Sequence, residues 1–589
     1  MGSWTFRNKD TEATSYYPRL FGRSYAVAAH HYLAAYAGSE ILRSGGNAVD
    51  AAVAATLVEG VVDPHMHTLG GECPMLIYSA EQNSVWCVNG NTPAPSRATP
   101  AAYRERGLVD VPDEGVLAAG VPAAFGSLVT ALQRFGSLPF SVISAPAMEH
   151  AKAGFPVHRG LLAQERFGLA DLEEKMRGLW HSSAALYLPE SRLPREGELI
   201  RNLPLHDMLD YACRAERNAV SRDIGLKAVF DCFYKGDIAA ALHAHTVAQD
   251  GLFEREDFAR FTVDIEAPVK YAFGGFDVYK CGPWNQGPAL LLSLGALENF
   301  NLHGLGHNSA DYIHVVIEAI KLAYADRNQY FGDPNFVDVP ITQMLSREYG
   351  KLRAGLIDTE QASDQIRPGD PETPAAALAT SRLPHLSHGS PGTVHVDVVD
   401  NHGNMAAFTP SGGWLKSSPV VSALGFPLTN RLMTFYLGPD NHPNKVQPGK
   451  RPRTTISPSL TCGKDSRMVF GSMGGDQQDQ WQLQFLLNVV VFGMDIPTAI
   501  DAPKFSSSHF SAFFAPHDSA PNAVRLEPRI AAGHIEELRR RGHQIELAAD
   551  WTEGFILAAR HDLETGSREA ACDPRCAKSE IFAPAALSW

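Results

Sequence analysis

The chain has 589 residues, 44% hydrophobic and 20% charged, which fits a folded protein with a large core or several domains and excludes a mainly disordered one. Its 51 lysines and arginines against 65 aspartates and glutamates give a formal charge of −14, which argues against nucleic acid or an anionic membrane as a partner. No uncharged apolar run is long enough to span a bilayer, and the start (Met-Gly-Ser-Trp-Thr-Phe) lacks the apolar stretch of a secretory signal, so a cytoplasmic location is expected.

Residues 1–24 are polar and aromatic and read as an irregular arm. Tyr32 to Arg43 reads as a helix ended by Gly45-Gly46, and Asn47 can cap a second, alanine-rich helix with Asp50 in its first turn. Met75 to Tyr78 and Val85 to Val88 read as paired strands around Glu81-Gln82-Asn83. Residues 116–250 read as mainly helical and Val269 to Lys280 as strand again, and Ile313 to Asn328 has the apolar spacing of an amphipathic helix.

Residues 368–392 have no sustained period and are rich in Pro, Ala, Ser and Gly, as expected of a linker or a functional loop. A strand follows at once: Thr393 to Asp400 alternates with period 2, Asn401 to Asn404 is turn chemistry, and Met405 to Thr409 can return as its partner. Further on, Met468 to Ser472 reads as a strand, Gly474-Gly475 breaks it, and Gln477 to Phe492 reads as a helix. That unit presents unpaired backbone N–H groups at a helix N-terminus, a natural site for an anion or an oxyanion. The eight cysteines are scattered, as in a reduced protein; the close pair Cys572 and Cys576 has no matching second pair for zinc.

The chain has no GxSxG, HExxH or paired CxxC. His385, His388 and His395 lie near Thr393 and read as surface histidines. A threonine freed at a chain N-terminus needs no histidine, because its own α-amine, with a pKa of about 7.7–8.0, can take the hydroxyl proton. Gly474 and Gly475 could supply oxyanion N–H groups to such a nucleophile.

These residues resemble the γ-glutamyltransferase (glutathione hydrolase) family over most of the chain. The likeness runs through Arg43 to His65, Leu69 to Tyr78, Val121 to Phe125, Ala153 to Val157, Glu318 to Pro334, Gly449 to Leu460 and Cys572 to Arg575. It implies an α/β (α+β) fold, the four-layer αββα sandwich of Ntn hydrolases. It also implies a precursor cut after Gly392 into intertwined pieces, a large subunit 1–392 and a small catalytic one 393–589, with this pair itself forming a dimer as one further possibility. By that resemblance Thr393 is the nucleophile, Ser411 supports it with Thr409 on the same strand, and Gly474 and Gly475 form the oxyanion site. Thr454 and Thr455 fall on the family's substrate-contacting serine pair.

Departures bear on substrate. The arginine and aspartate with which the family holds a γ-glutamyl group fall on Asn91 and Met433, and an orienting asparagine falls on Gly413; Asn430 is a further contact expected from the same loop. A zwitterionic glutamyl group loses its charged anchors, so the expected substrate is a small-molecule amide of a non-glutamyl acyl group. The segments around Gly282 to Pro288 and Met473 to Phe485 resemble the family's cephalosporin acylase and oxamate amidohydrolase branches. Arg97, Arg431 and Arg453 are the cations that could meet a carboxylate instead of standing in solvent. The alternatives are a γ-glutamyl transferase with relocated anchors and an uncleaved, non-catalytic member. No metal or organic cofactor is required by this chemistry.

Overall fold

The computed structural model describes residues 15–371, 392–514 and 517–589. Most of the expected linker, residues 372–391 with His385 and His388, lies outside the described residues. Two seven-stranded sheets face each other. In chain order across the first run Leu20–Gly22, Arg568–Cys572, Ile556–Asp562, Ser466–Ser472, Ser459–Gly463, Phe276–Lys280 and Val269–Phe273. The second has Ala585–Ser588, Ala26–Ala29, Val396–Val399, Met405–Phe408, Met75–Ser79, Ser84–Asn89 and Asp264–Glu266. All pairings within both sheets are antiparallel.

Period-2 alternation sorts each strand's side chains between two cores. Leu76, Tyr78, Val399, Met405, Val469 and Leu557 fill the space between the sheets. Met75, Ile77, Val396 and Val398 turn the other way, onto the Tyr32–Arg43 and Ala48–Val62 helices. Met468, Phe470, Ile556 and Ala558 pack on the Pro288–Leu297, Ala310–Tyr330 and Gln478–Val490 helices. Three cores in series give four layers, the expected αββα sandwich. Asn47 caps the Ala48–Val62 helix in a reciprocal box with Asp50, and all of that helix is buried, which its alanines permit by allowing close approach to the sheet.

Strands from before Gly392 and from after Thr393 alternate in both sheets, so neither portion of the chain has a complete sheet of its own. Two boundaries differ from the sequence reading. Leu20–Gly22 is not part of an irregular arm but pairs with Arg568–Cys572 at a sheet edge, a partner more than 500 positions away that local pattern does not register. The strand after the linker begins at Val396 rather than Thr393, because Thr393 bridges Ser411 outside the regular ladder.

Candidate active site

Thr393 and Gly474 are brought together by the facing sheets. The His395 ring lies so close to Gly471 that a Cβ there would stand 2.3 Å from it. Two residues before His395 comes Thr393, and three after Gly471 comes Gly474. His395 is fully buried rather than on the surface as expected, with Nδ1 2.9 Å from Thr409 Oγ1 and Nε2 2.9 Å from Asp397 Oδ1. Burial holds its pKa at about 3 and pushes the Asp397 carboxyl well above its usual range, so both are neutral. Thr409, expected beside the nucleophile, gives its hydroxyl to this pair, which braces the strand.

Thr393 is 4% exposed, and its Oγ1 lies 3.1 Å from Ser411 Oγ. Ser411 Oγ donates to the Gly392 carbonyl at 2.7 Å and accepts from Arg431 Nη2 at 3.0 Å. The one hydroxyl proton of Ser411 is thus committed, so in the Thr393 contact it is Thr393 that donates. Lone pairs of Thr393 Oγ1 then remain free beside the Gly392–Thr393 bond. Trp414 Nε1 donates to the same Gly392 carbonyl at 2.7 Å, and also to Met66 O at 2.9 Å. Arg431 is held by Glu72 through Nε and Nη2 at 3.2 and 3.1 Å, and Thr429 Oγ1 donates to the other Glu72 oxygen. Glu72 is fully buried; burial raises its pKa while Arg431 and Thr429 oppose the rise.

Gly392 itself is sterically required. A Cβ there would stand 2.5 Å from the Phe167 ring and 2.8 Å from Trp414. These two rings meet edge to face at 5.3 Å and pack with Met433, with Phe514 alongside. Met433 therefore sits in an apolar wall, and Asn430 is tied to Ser417 Oγ and to Asp113 O. Gly413 has φ +61°, and a Cβ there would stand 2.4 Å from Thr68 Oγ1, so no larger residue fits.

Gly474 (φ +121°) and Gly475 (φ +57°) carry the chain from the Ser466–Ser472 strand into a 3-10 turn, Gly475–Gln477, that runs into the Gln478–Val490 helix. A Cβ on Gly474 would strike Trp481 at 2.4 Å, whereas one on Gly475 would approach Phe514 at 3.4 Å, which places Gly475 beside the apolar wall. Gln286 Nε2 donates to Gly475 O at 3.1 Å, and Tyr324 OH donates to Asp476 O at 2.7 Å. Thr454 bridges Asn285, and Thr455 follows it, buried. Asn91 is buried with its amide donating to Pro452 O, which puts it beside the same segment.

Of the expected residues, Gly392, Thr393 and Ser411 form one hydrogen-bonded cluster, with Gly413 and Met433 next to it. Thr454, Thr455 and Asn91 form a second group behind Gly475. Sequence reasoning missed Trp414 and Glu72 and did not separate Arg431 from surface arginines. A tryptophan after Ser-Gly-Gly and a glutamate inside a glycine-rich strand were the available signals. The eight cysteines are free. Among the described residues one group has metal-ligating types within reach: His31, Asp63 and His158. Both rings accept a helix N–H at Nδ1, which leaves a protonated Nε2 facing Asp63, the tautomer of a donor rather than of a ligand. No helix among the described residues is long and apolar enough to cross a membrane.

A model of the gamma-glutamyltranspeptidase family matches residues 34–583. The glutathione hydrolase-like YwrD proenzyme of Bacillus subtilis (strain 168) is 28% identical over 561 residues, covering 94% of this chain and 98% of that protein. Among solved structures, LmbA2991HD is similar with a TM-score of 0.90 and 37% identity, covering 98% of this chain and all (100%) of that one. The cephalosporin acylase from Bacillus halodurans gives a TM-score of 0.84 and 27% identity, covering 100% and 99%. With the four-layer fold, these likenesses make the chain an enzyme of amide bonds, and it belongs to the gamma-glutamyltranspeptidase family of N-terminal-nucleophile hydrolases.

Proposed function

We propose that the chain is a precursor that cuts itself between Gly392 and Thr393, giving subunits 1–392 and 393–589, and that the freed Thr393 then cleaves the amide of a small, non-glutamyl acyl group. The observation that carries this reading is the double clamp on the Gly392 carbonyl by Ser411 and Trp414, with Thr393 Oγ1 in contact with Ser411. In the self-cleavage, Thr393 Oγ1 attacks the Gly392 carbonyl carbon. Its proton passes to Ser411 Oγ as Ser411 moves its own toward the carbonyl oxygen, which Trp414 also stabilises. The C–N bond then breaks, leaving an ester on Thr393 and a free α-amine, and water hydrolyses the ester. Arg431, fixed by Glu72, holds Ser411 in place throughout.

In the mature site the Thr393 amine takes the hydroxyl proton as the oxygen attacks the substrate carbonyl, and returns it to the leaving amine. The N–H groups of Gly474 and Gly475 are oriented for the resulting oxyanion. Water then releases the acyl group. The non-glutamyl assignment is supported by Met433, which stands in an apolar wall, and by Asn91, whose amide is spent on Pro452 O. The test is a panel of acyl p-nitroanilides offered to the cleaved protein. Release from simple and dicarboxylic acyl groups with little from the γ-glutamyl anilide is expected. Preference for the γ-glutamyl anilide would contradict the reading.

A further inference from the structure

Buried charge behind Gly475 does not balance. Arg327 and Arg453 are both fully buried there, and Asp476 ion-pairs with Arg327. Arg327 is saturated: besides Asp476 it donates to Gln286 Oε1 at 2.9 Å, Asn328 Oδ1 at 3.0 Å and Ser511 O at 3.1 Å. The second oxygen of Asp476 accepts from Phe513 N at 2.8 Å. Arg453 has Nη1 on the Arg327 carbonyl at 2.9 Å and the Tyr436 phenol beside it, but its Nε has no partner and it forms no ion pair among the described residues. Burial, with the Arg327 charge adding to it, lowers its pKa to about 10. A guanidinium buried without a counter-anion is costly, and a bound anion is the ordinary remedy.

Its position suits a substrate. Arg453 directly precedes Thr454 and Thr455, and Gln286, which accepts from Arg327, also donates to Gly475 O at 3.1 Å. The Phe513 ring lies 5.8 Å from the guanidinium, and its neighbour Phe514 reaches the apolar wall of Phe167, Trp414 and Met433. Other cations nearby are occupied. Arg97 is half-exposed beside Glu254, Arg431 is taken by Glu72, and Lys416 is offset by Asp113 and Glu114. No acidic side chain belongs to the apolar wall.

We infer that the site takes an acyl group bearing a carboxylate but no ammonium, a dicarboxylic acid monoamide whose free carboxylate pairs with Arg453 and the hydroxyls of Thr454 and Thr455. This rests on the function proposed above. The carboxylate supplies the missing counter-anion, and the apolar wall offers nothing to an α-ammonium group.

The experiment compares oxalyl, succinyl and glutaryl p-nitroanilides with their methyl esters on the cleaved protein. The best acid is expected to exceed its ester roughly 10- to 100-fold in kcat/KM, mainly through KM. Arg453→Met should bring that ratio toward one, and Arg453→Lys should restore part of it. An ester as good as its acid, or a ratio that survives in Arg453→Met, overturns the inference while leaving the proposed function intact. Cleaved protein that turns over no anilide at all removes both. Should Arg453→Met fail to fold, inhibition of the parent by free glutarate against neutral glutaramide reads the same contact: equal inhibition contradicts it.

Discussion

Replacing Trp414 by Phe removes one N–H and little else. The ring keeps its place against Phe167, but the Gly392 carbonyl loses the 2.7 Å donor and Met66 O loses its 2.9 Å one. In the resting chain a neutral hydrogen bond is worth about 0.5–1.5 kcal/mol, and a buried carbonyl left without a partner costs about 1–3 kcal/mol. As negative charge builds on the Gly392 oxygen the lost donor matters more: removing one oxyanion donor typically costs about 2.7–4 kcal/mol of barrier, or roughly 100- to 1,000-fold. Ser411 remains as the second donor, so cleavage should slow but continue. The assay follows conversion of the full chain to its two fragments with time, by intact mass, beside a thermal melt that verifies folding. Self-cleavage at the parental rate in a folded Trp414→Phe protein would refute the idea that this indole polarises the scissile carbonyl.

Gly392→Ala forces a methyl into Phe167 and Trp414, and such overpacking costs about 1–3 kcal/mol; cleavage should fall roughly tenfold or more, and Phe167→Ala in the same chain should recover part, as read by fragment yield. Glu72→Gln leaves Arg431 buried beside Ser411 without its counter-charge, a loss of about 3–5 kcal/mol; urea unfolding should show it, and an unchanged midpoint would contradict the pairing. Burial holds His65 and His67 at about 3, whereas the unfolded chain takes up these protons near pH 6.5. The unfolded state therefore binds more protons between those values, so stability is fully present above pH 6.5 and declines as pH falls toward 3. Melts at pH 7 and 5 should show the decline, and it should be shallower in His67→Gln.

The fold was legible where the cause is local. Asn47 with Asp50, the alternation from Thr393 to Asp400 and the glycine break at Gly474-Gly475 each carry their structure in a few neighbouring residues. The nucleophile and its glycines came from the resemblance more than from pattern, since a strand preceded by a linker is common. What escaped was non-local. Glu72 and Arg431 are 359 positions apart, and only the fold reveals that both charges are buried as one pair beside Ser411. His395 read as a surface histidine because nothing in its neighbours announces the facing sheet and the glycine at 471 that receives its ring. The same limit applies to Arg453, whose missing counter-anion is visible only once Arg327 and Asp476 are set next to it.

The most direct test of Thr393 as a self-processing nucleophile is the intact mass of the purified parent and of Thr393→Ala, with the N-terminus of the smaller fragment sequenced. Two fragments, 1–392 and 393–589, are expected in the parent, the second starting at Thr393, with a single uncut chain in Thr393→Ala. A parent that stays whole after long incubation, or a Thr393→Ala protein that is cut at the same bond, would contradict the account.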